Sequence, residues 1–189
     1  MKRYYFLAIF GLMGVLLSPG WTDARAQKTK PDLEALKKQI ELFETVLNQS
    51  LTQAFGGPYD TLDKGQGAYL PGYGVVFSFE VSLSPLQNMG PFSPAPTPKS
   101  EELRREQEIR RRDKAKEVAD QVLTNFGQIL HELGPGESVA VIIHTVAVHP
   151  AKVERSTIVV SAEKNLIDQR QNNTINQVEF VHKLTRTEY

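Results

Sequence analysis

The chain has 189 residues, 22 basic and 22 acidic side chains, and a hydrophobic fraction of 40%. That balance gives no electrostatic basis for binding nucleic acid or anionic lipid over the whole surface. Cysteine is absent, which excludes disulfides, thiol catalysis and cysteine-based metal sites.

Lys2 and Arg3 give a positive start, and an apolar run follows from Tyr4 to Leu17. Ser18, Pro19 and Gly20 break any helix, and Ala24-Arg25-Ala26 closes the stretch. Charged start, apolar centre and small residues before the cut predict a secretory signal peptide over residues 1–26, cleaved between Ala26 and Gln27. The apolar run has 14 residues, two of them glycine. A spanning helix needs about 20, so no transmembrane anchor is expected after cleavage. Residues 27–189 then carry 19 basic and 21 acidic side chains, and their length suits one domain that folds without covalent staples. An exported domain of this kind without disulfides points to a bacterial envelope protein, periplasmic or secreted.

Asp32 is placed to cap a first helix. Leu33, Leu36, Ile40, Phe43, Leu47, Leu51 and Ala54 recur at steps of three and four, one helical stripe. Gly56-Gly57-Pro58 ends it. Residues 58–67, rich in Gly, Asp and Thr, read as loop. Pro71-Gly72 then supplies a turn. From Tyr73 the sequence alternates: Tyr73, Val75, Phe77, Phe79, Val81 and Leu83 on one face, and Gly74, Val76, Ser78, Glu80 and Ser82 on the other. That period of two predicts a strand with Tyr73 through Leu83 facing the core.

Residues 84–99 hold five of the 11 prolines and read as a Pro-rich extended loop. Ser100 is expected to start a long second helix, charged at first and amphipathic later through Ala115, Val118, Val122, Phe126, Ile129 and Leu133. Glu101–Arg105, Glu106–Arg110 and Glu108–Arg112 are spaced as i,i+4 ion pairs. Val139–Val148, apolar on both faces, predicts a central strand, and Ser156–Ala162 a second one forming a hairpin with it. Thr174 and Gln177 fit a capping box before a short last helix. The predicted order is α-β-α-β-β-α. It implies an α+β domain with at least three mostly antiparallel strands and the long helices packed on one face.

In Tyr69-Leu-Pro-Gly-Tyr-Gly-Val-Val-Phe-Ser-Phe-Glu-Val81 the chain resembles a group of exported bacterial proteins of unknown function. They pair such a Leu-Pro-Gly-x-Gly strand with a later Arg-Ser/Thr strand, here Arg155-Ser-Thr-Ile-Val-Val160, and a short C-terminal helix. The resemblance implies an envelope location and no chemistry, and it carries over no functional residue.

Catalytic patterns are missing from the sequence. His131, His144, His149 and His182 lack metal-ligand spacing, and His144 and His149, five apart, fall on opposite faces of a strand. No Gly-x-Ser-x-Gly elbow occurs. Gly65-Gln-Gly67 and Gly72-Tyr-Gly74 are not followed by the helix start that a phosphate loop requires. No catalytic, cofactor or metal residue is assigned. Arg110, Arg111 and Arg112 form the densest basic spot, in a run over 99–117 of eight basic and six acidic residues. With Phe92 of the Pro-rich loop they are the sequence's candidate contacts for a partner, an envelope protein. Tyr59 and Tyr69 are candidate walls of a ligand groove. The reading is a non-enzymatic binding module. The alternatives are an envelope hydrolase with an unrecognised site and a structural domain that oligomerises.

Overall fold

In the computed structural model, residues 31–56, 61–84, 97–149 and 152–189 are described. The expected export signal, Tyr59, Phe92 and most of the Pro-rich loop lie outside them. Helix α1 runs Leu33–Phe55. Asp32 Oδ1 accepts the amides of Glu34 at 3.0 Å and Ala35 at 3.3 Å, and Gly56 ends the helix at φ 72°, a left-handed position where glycine carries no steric cost. Leu36, Ile40, Phe43, Leu47 and Leu51 of the predicted stripe are buried, Leu33 is exposed and Ala54 half-buried, and Gln39 and Phe55 are buried outside the stripe.

Strands β1 (Thr61–Leu70) and β2 (Gly74–Ser82) form a hairpin. The first corrects the loop expected there. Tyr73 is a second correction: it belongs to the Pro71–Tyr73 turn rather than the core face, and is 43% exposed. Helix α2 (Pro98–Phe126) then crosses over to β3 (Ser138–His149), which lies parallel to β2 and antiparallel to β4 (Lys152–Glu163). Helices α3 (Lys164–Gln171) and α4 (Gln177–Lys183) lead to β5 (Thr185–Glu188), which pairs antiparallel with β4. The sheet order is β1-β2-β3-β4-β5.

The fold is therefore α+β with a five-stranded sheet, three of whose four pairings are antiparallel. The observed order α-β-β-α-β-β-α-α-β replaces the predicted α-β-α-β-β-α. Core residues of β2 alternate as expected, and Val75, Phe77 and Phe79 pair in register with Val139, Val141 and Ile143 of β3, which is the middle strand of the sheet as its apolar run predicts. Ile158, Val160 and Ala162 of β4 extend the same layer. Onto it pack α1, the second half of α2, Ile167 of α3, and Ile175, Phe180 and Leu184 around α4.

Helix α2 starts earlier than expected. Thr97 is its cap, Pro98 occupies the first turn, and Ser100 completes the reciprocal box, so the Pro-rich segment gives up its last two positions to the helix. Proline fits there because first-turn amides have no partner in the helix. No residue of α2 before Ala115 is buried among its hydrophobics. Its first half meets the sheet through polar side chains instead: Ser84 Oγ donates to Glu108 Oε1 at 3.1 Å, and Arg111 Nε to the Ser82 carbonyl at 3.0 Å.

Candidate functional site

Of the contacts that the sequence singles out, Phe92 lies outside the described residues, and the three arginines of α2 have different surroundings. Arg110 lies in solvent, 3.6 Å from Glu106. Arg111 turns inward onto Ser82, its guanidinium 5.6 Å from the centre of the Phe55 ring. Arg112 pairs with Glu188 of β5 at 3.2 Å, where Lys116 joins it at 3.0 Å. Two of the three arginines thus serve the fold's own contacts, which leaves Arg110 the most outward of the triplet.

Histidines and nucleophiles give one polar cluster. Ser84, Glu108 and His149 meet near the ends of β2 and β3. Glu108 Oε1 is 3.9 Å from His149 Nδ1, and Glu154 Oε2 is 3.7 Å from His149 Nε2. The serine, however, is 2% exposed. Its hydroxyl accepts the Val148 amide at 2.9 Å and faces Glu108 rather than the imidazole. A buried hydroxyl held on both its donor and acceptor sides is a structural clasp, not a nucleophile awaiting a base. His131 bonds Gln39 at 3.1 Å and His144 bonds Thr157 at 3.2 Å on the other sheet face. Among the described residues no group of three or more His, Cys, Asp or Glu could hold a metal ion, and no helix is long and apolar enough to cross a membrane.

A groove lies elsewhere, between the first half of α1 and the edge of β1 that pairs with no strand among the described residues, with a volume of about 390 Å³. Leu36 and Ile40 form its apolar floor beside Gly67 and Tyr69 of β1, and Leu33 stands at its mouth. Lys37, Glu41 and Glu44 line its polar side. The glycines explain how a helix comes so close. A Cβ on Gly67 would sit 2.5 Å from the Phe77 ring and 2.7 Å from Ile40, and one on Gly65 would sit 2.8 Å from Leu47. Only bare backbone fits under α1.

The same closeness lets α1 occupy part of the strand edge. Asn48 Oδ1 accepts the Gly65 amide at 2.8 Å while its Nδ2 donates to the Gly65 carbonyl at 3.1 Å. Glu44 Oε1 accepts the Gly67 amide at 2.6 Å. Unpaired edge amides invite other strands, and side chains that satisfy them blunt that tendency. At Tyr69 the protection ends and the groove begins.

Tyr69 is fixed from behind. Its hydroxyl donates to Glu137 Oε1 at 3.0 Å, and Glu137, itself 2% exposed, accepts the Gly134 amide at 2.9 Å through its other oxygen. Burial first, and then the bond to the Glu137 carboxylate, raise the phenol above its ordinary pKa of 10.0. The ring stays neutral and anchored at every physiological pH. Of the residues named from sequence, the structure brings Tyr69 to the groove and leaves Tyr73 on the turn. Lys37, Glu41 and Glu44 escaped sequence reasoning. Their one signal was a polar stripe at steps of four and three beside the apolar one, which means nothing until β1 is known to lie against it. No family model, no curated protein and no solved structure matches the chain.

Proposed function

We propose that the chain is a non-enzymatic binding module of the bacterial envelope, exported by residues 1–26 and working as the domain that begins at Gln27. The observation that carries this reading is the α1–β1 groove, an apolar floor with a charged rim and one rigidly held tyrosine. Concave sites of this make, a few placed polar groups around an apolar base, are where ligands bind. The clasped state of Ser84 weighs against the hydrolase alternative. Export is supported by the order of charge, apolar run and Ala-x-Ala site.

The working surface proposed here differs from the basic stretch of α2, because Arg111 and Arg112 are engaged within the fold. The test is site-specific photocross-linking in the exporting cell. A photoreactive residue at Lys37 is expected to give one recurrent adduct, and the same group at exposed Gln121 on α2 to give none. Equal labelling from both positions, or none from Lys37, would remove the groove as the working surface. N-terminal sequencing of the recovered protein should begin at Gln27; an intact Met1 start would remove the export reading.

A further inference from the structure

The groove's position on a sheet edge says more about its occupant than its volume does. In the β1–β2 hairpin the amides of Gly65 and Gly67 turn away from β2, since both are taken by side chains of α1. Tyr69 has the same parity and also faces outward, beyond the reach of Asn48 and Glu44. Its main-chain groups therefore offer strand-type hydrogen bonds within the groove. Pro71, which has no amide, ends this edge two residues later. The side-chain environment is apolar at Leu36 and Ile40, Lys37 and Glu41 line the polar side, and the Glu44 carboxylate there is held on the Gly67 amide.

We infer that this groove takes a short extended segment of another protein by strand addition to β1 at Tyr69, with an aliphatic side chain on the floor and a neighbouring basic residue against Glu41. Main-chain bonds supply affinity in such docking, and alternate side-chain pockets supply selectivity. Asn48 shows the chemistry in miniature: its side-chain amide already gives and takes the pair of bonds at Gly65 that an added strand would make. The inference rests on the groove being the working surface, and adds the class of its ligand.

The experiment selects a displayed library of random short peptides on the chain from Gln27 to Tyr189. Selected peptides are expected to share an aliphatic residue beside Lys or Arg. Glu41→Lys, at an exposed rim position, should weaken their binding roughly ten-fold, while Gln121→Lys leaves it unchanged and circular dichroism shows both variants folded. N-methylation of the peptide amide that pairs with β1 should abolish binding, which contact through side chains alone would not predict. Peptides that survive every single N-methylation, or that ignore Glu41→Lys, would overturn strand addition. So would a selection yielding no peptide, or a groove filled instead by a small cationic amphiphile such as dodecyltrimethylammonium. A Lys37 adduct in cells alongside any of these results would leave the groove as the working surface and remove only the peptide.

Discussion

Gly67 sits where three constraints meet. Its amide is held by Glu44 at 2.6 Å, its α-carbon faces the Phe77 ring, and Ile40 closes over it. Phe77 cannot yield, because it is stacked on Phe43 with ring centres 4.2 Å apart and is fully buried. Gly67→Ala should therefore cost about 1–3 kcal/mol, the range for overpacking a filled core. A Cβ on Gly65 would meet Leu47 at 2.8 and 3.2 Å and Asn48 Oδ1 at 3.5 Å, looser contacts than the three under 3 Å at Gly67, so the cost of Gly65→Ala should be smaller. Urea unfolding of both variants checks the order; equal losses, or a harmless Gly67→Ala, would mean that α1 rides higher over β1. Tyr69 gives a pH prediction at the same scale. Its phenol is raised in the folded state by burial and by Glu137, so the unfolded chain loses this proton first. The contribution is fully present below the ordinary tyrosine pKa and is lost as pH rises from there through the folded value. Above about pH 10, wild type should lose stability more steeply than Tyr69→Phe, as read by denaturant midpoints at each pH. Parallel curves would show that the Tyr69–Glu137 bond is not made.

Elements differ in how far they carry their own instructions. Helix α1 was legible because cap, stripe and terminal glycine agree over 23 residues. Strand β2 was legible through its alternation, and the β3–β4 hairpin through two apolar runs joined by a short connection. Strand β1 was not, since Asp63, Lys64, Gly65 and Gly67 are poor strand formers, and the two glycines are explained only by α1 overhead. Strand β5, Thr-Arg-Thr-Glu, is exposed throughout and pairs only with β4, so it has no pattern of its own. The cap of α4 is Asn176, with Glu179 completing the box, two residues beyond the expected Thr174. The groove was legible in one residue, Tyr69, because its other wall depends on an unrecognised strand. Helix α4 also yields a prediction. At seven residues it is too short to persist alone and depends on Phe180, which is fully buried. Phe180→Ala should cost about 3–5 kcal/mol. Val178→Ala, at a position 66% exposed, should stay within about 0.5 kcal/mol. Guanidinium unfolding of the pair separates the two; similar losses would mean that α4 packs on a different face.

At the scale of the whole molecule, the sheet has two unlike faces. One carries the core from all four helices. The other presents Val76, Ala140, Ile142, Val146 and Val159 among Ser78, Glu80, His144, Thr157 and Arg155, and none of these joins the core cluster. His144 and Arg155 on that face are exposed and polar. Alternation of this kind is how an antiparallel sheet meets water without a second layer, whereas an obligate partner sheet would require a largely apolar face. The edges are managed in keeping with that. Asn48 and Glu44 cover part of β1, and β5 is only four residues long, the usual device against edge-to-edge association. The chain from Gln27 should therefore sediment as a monomer across a wide dilution series. The result bears directly on the groove. A mass that rises toward twice the monomer value on concentration would place a second copy against the sheet face or the β1 edge. Repeating the series with Glu41→Lys would tell these apart: dimerisation through the groove should weaken, and dimerisation through the sheet face should not change. A constant monomer mass leaves the β1 edge open for a segment of another protein.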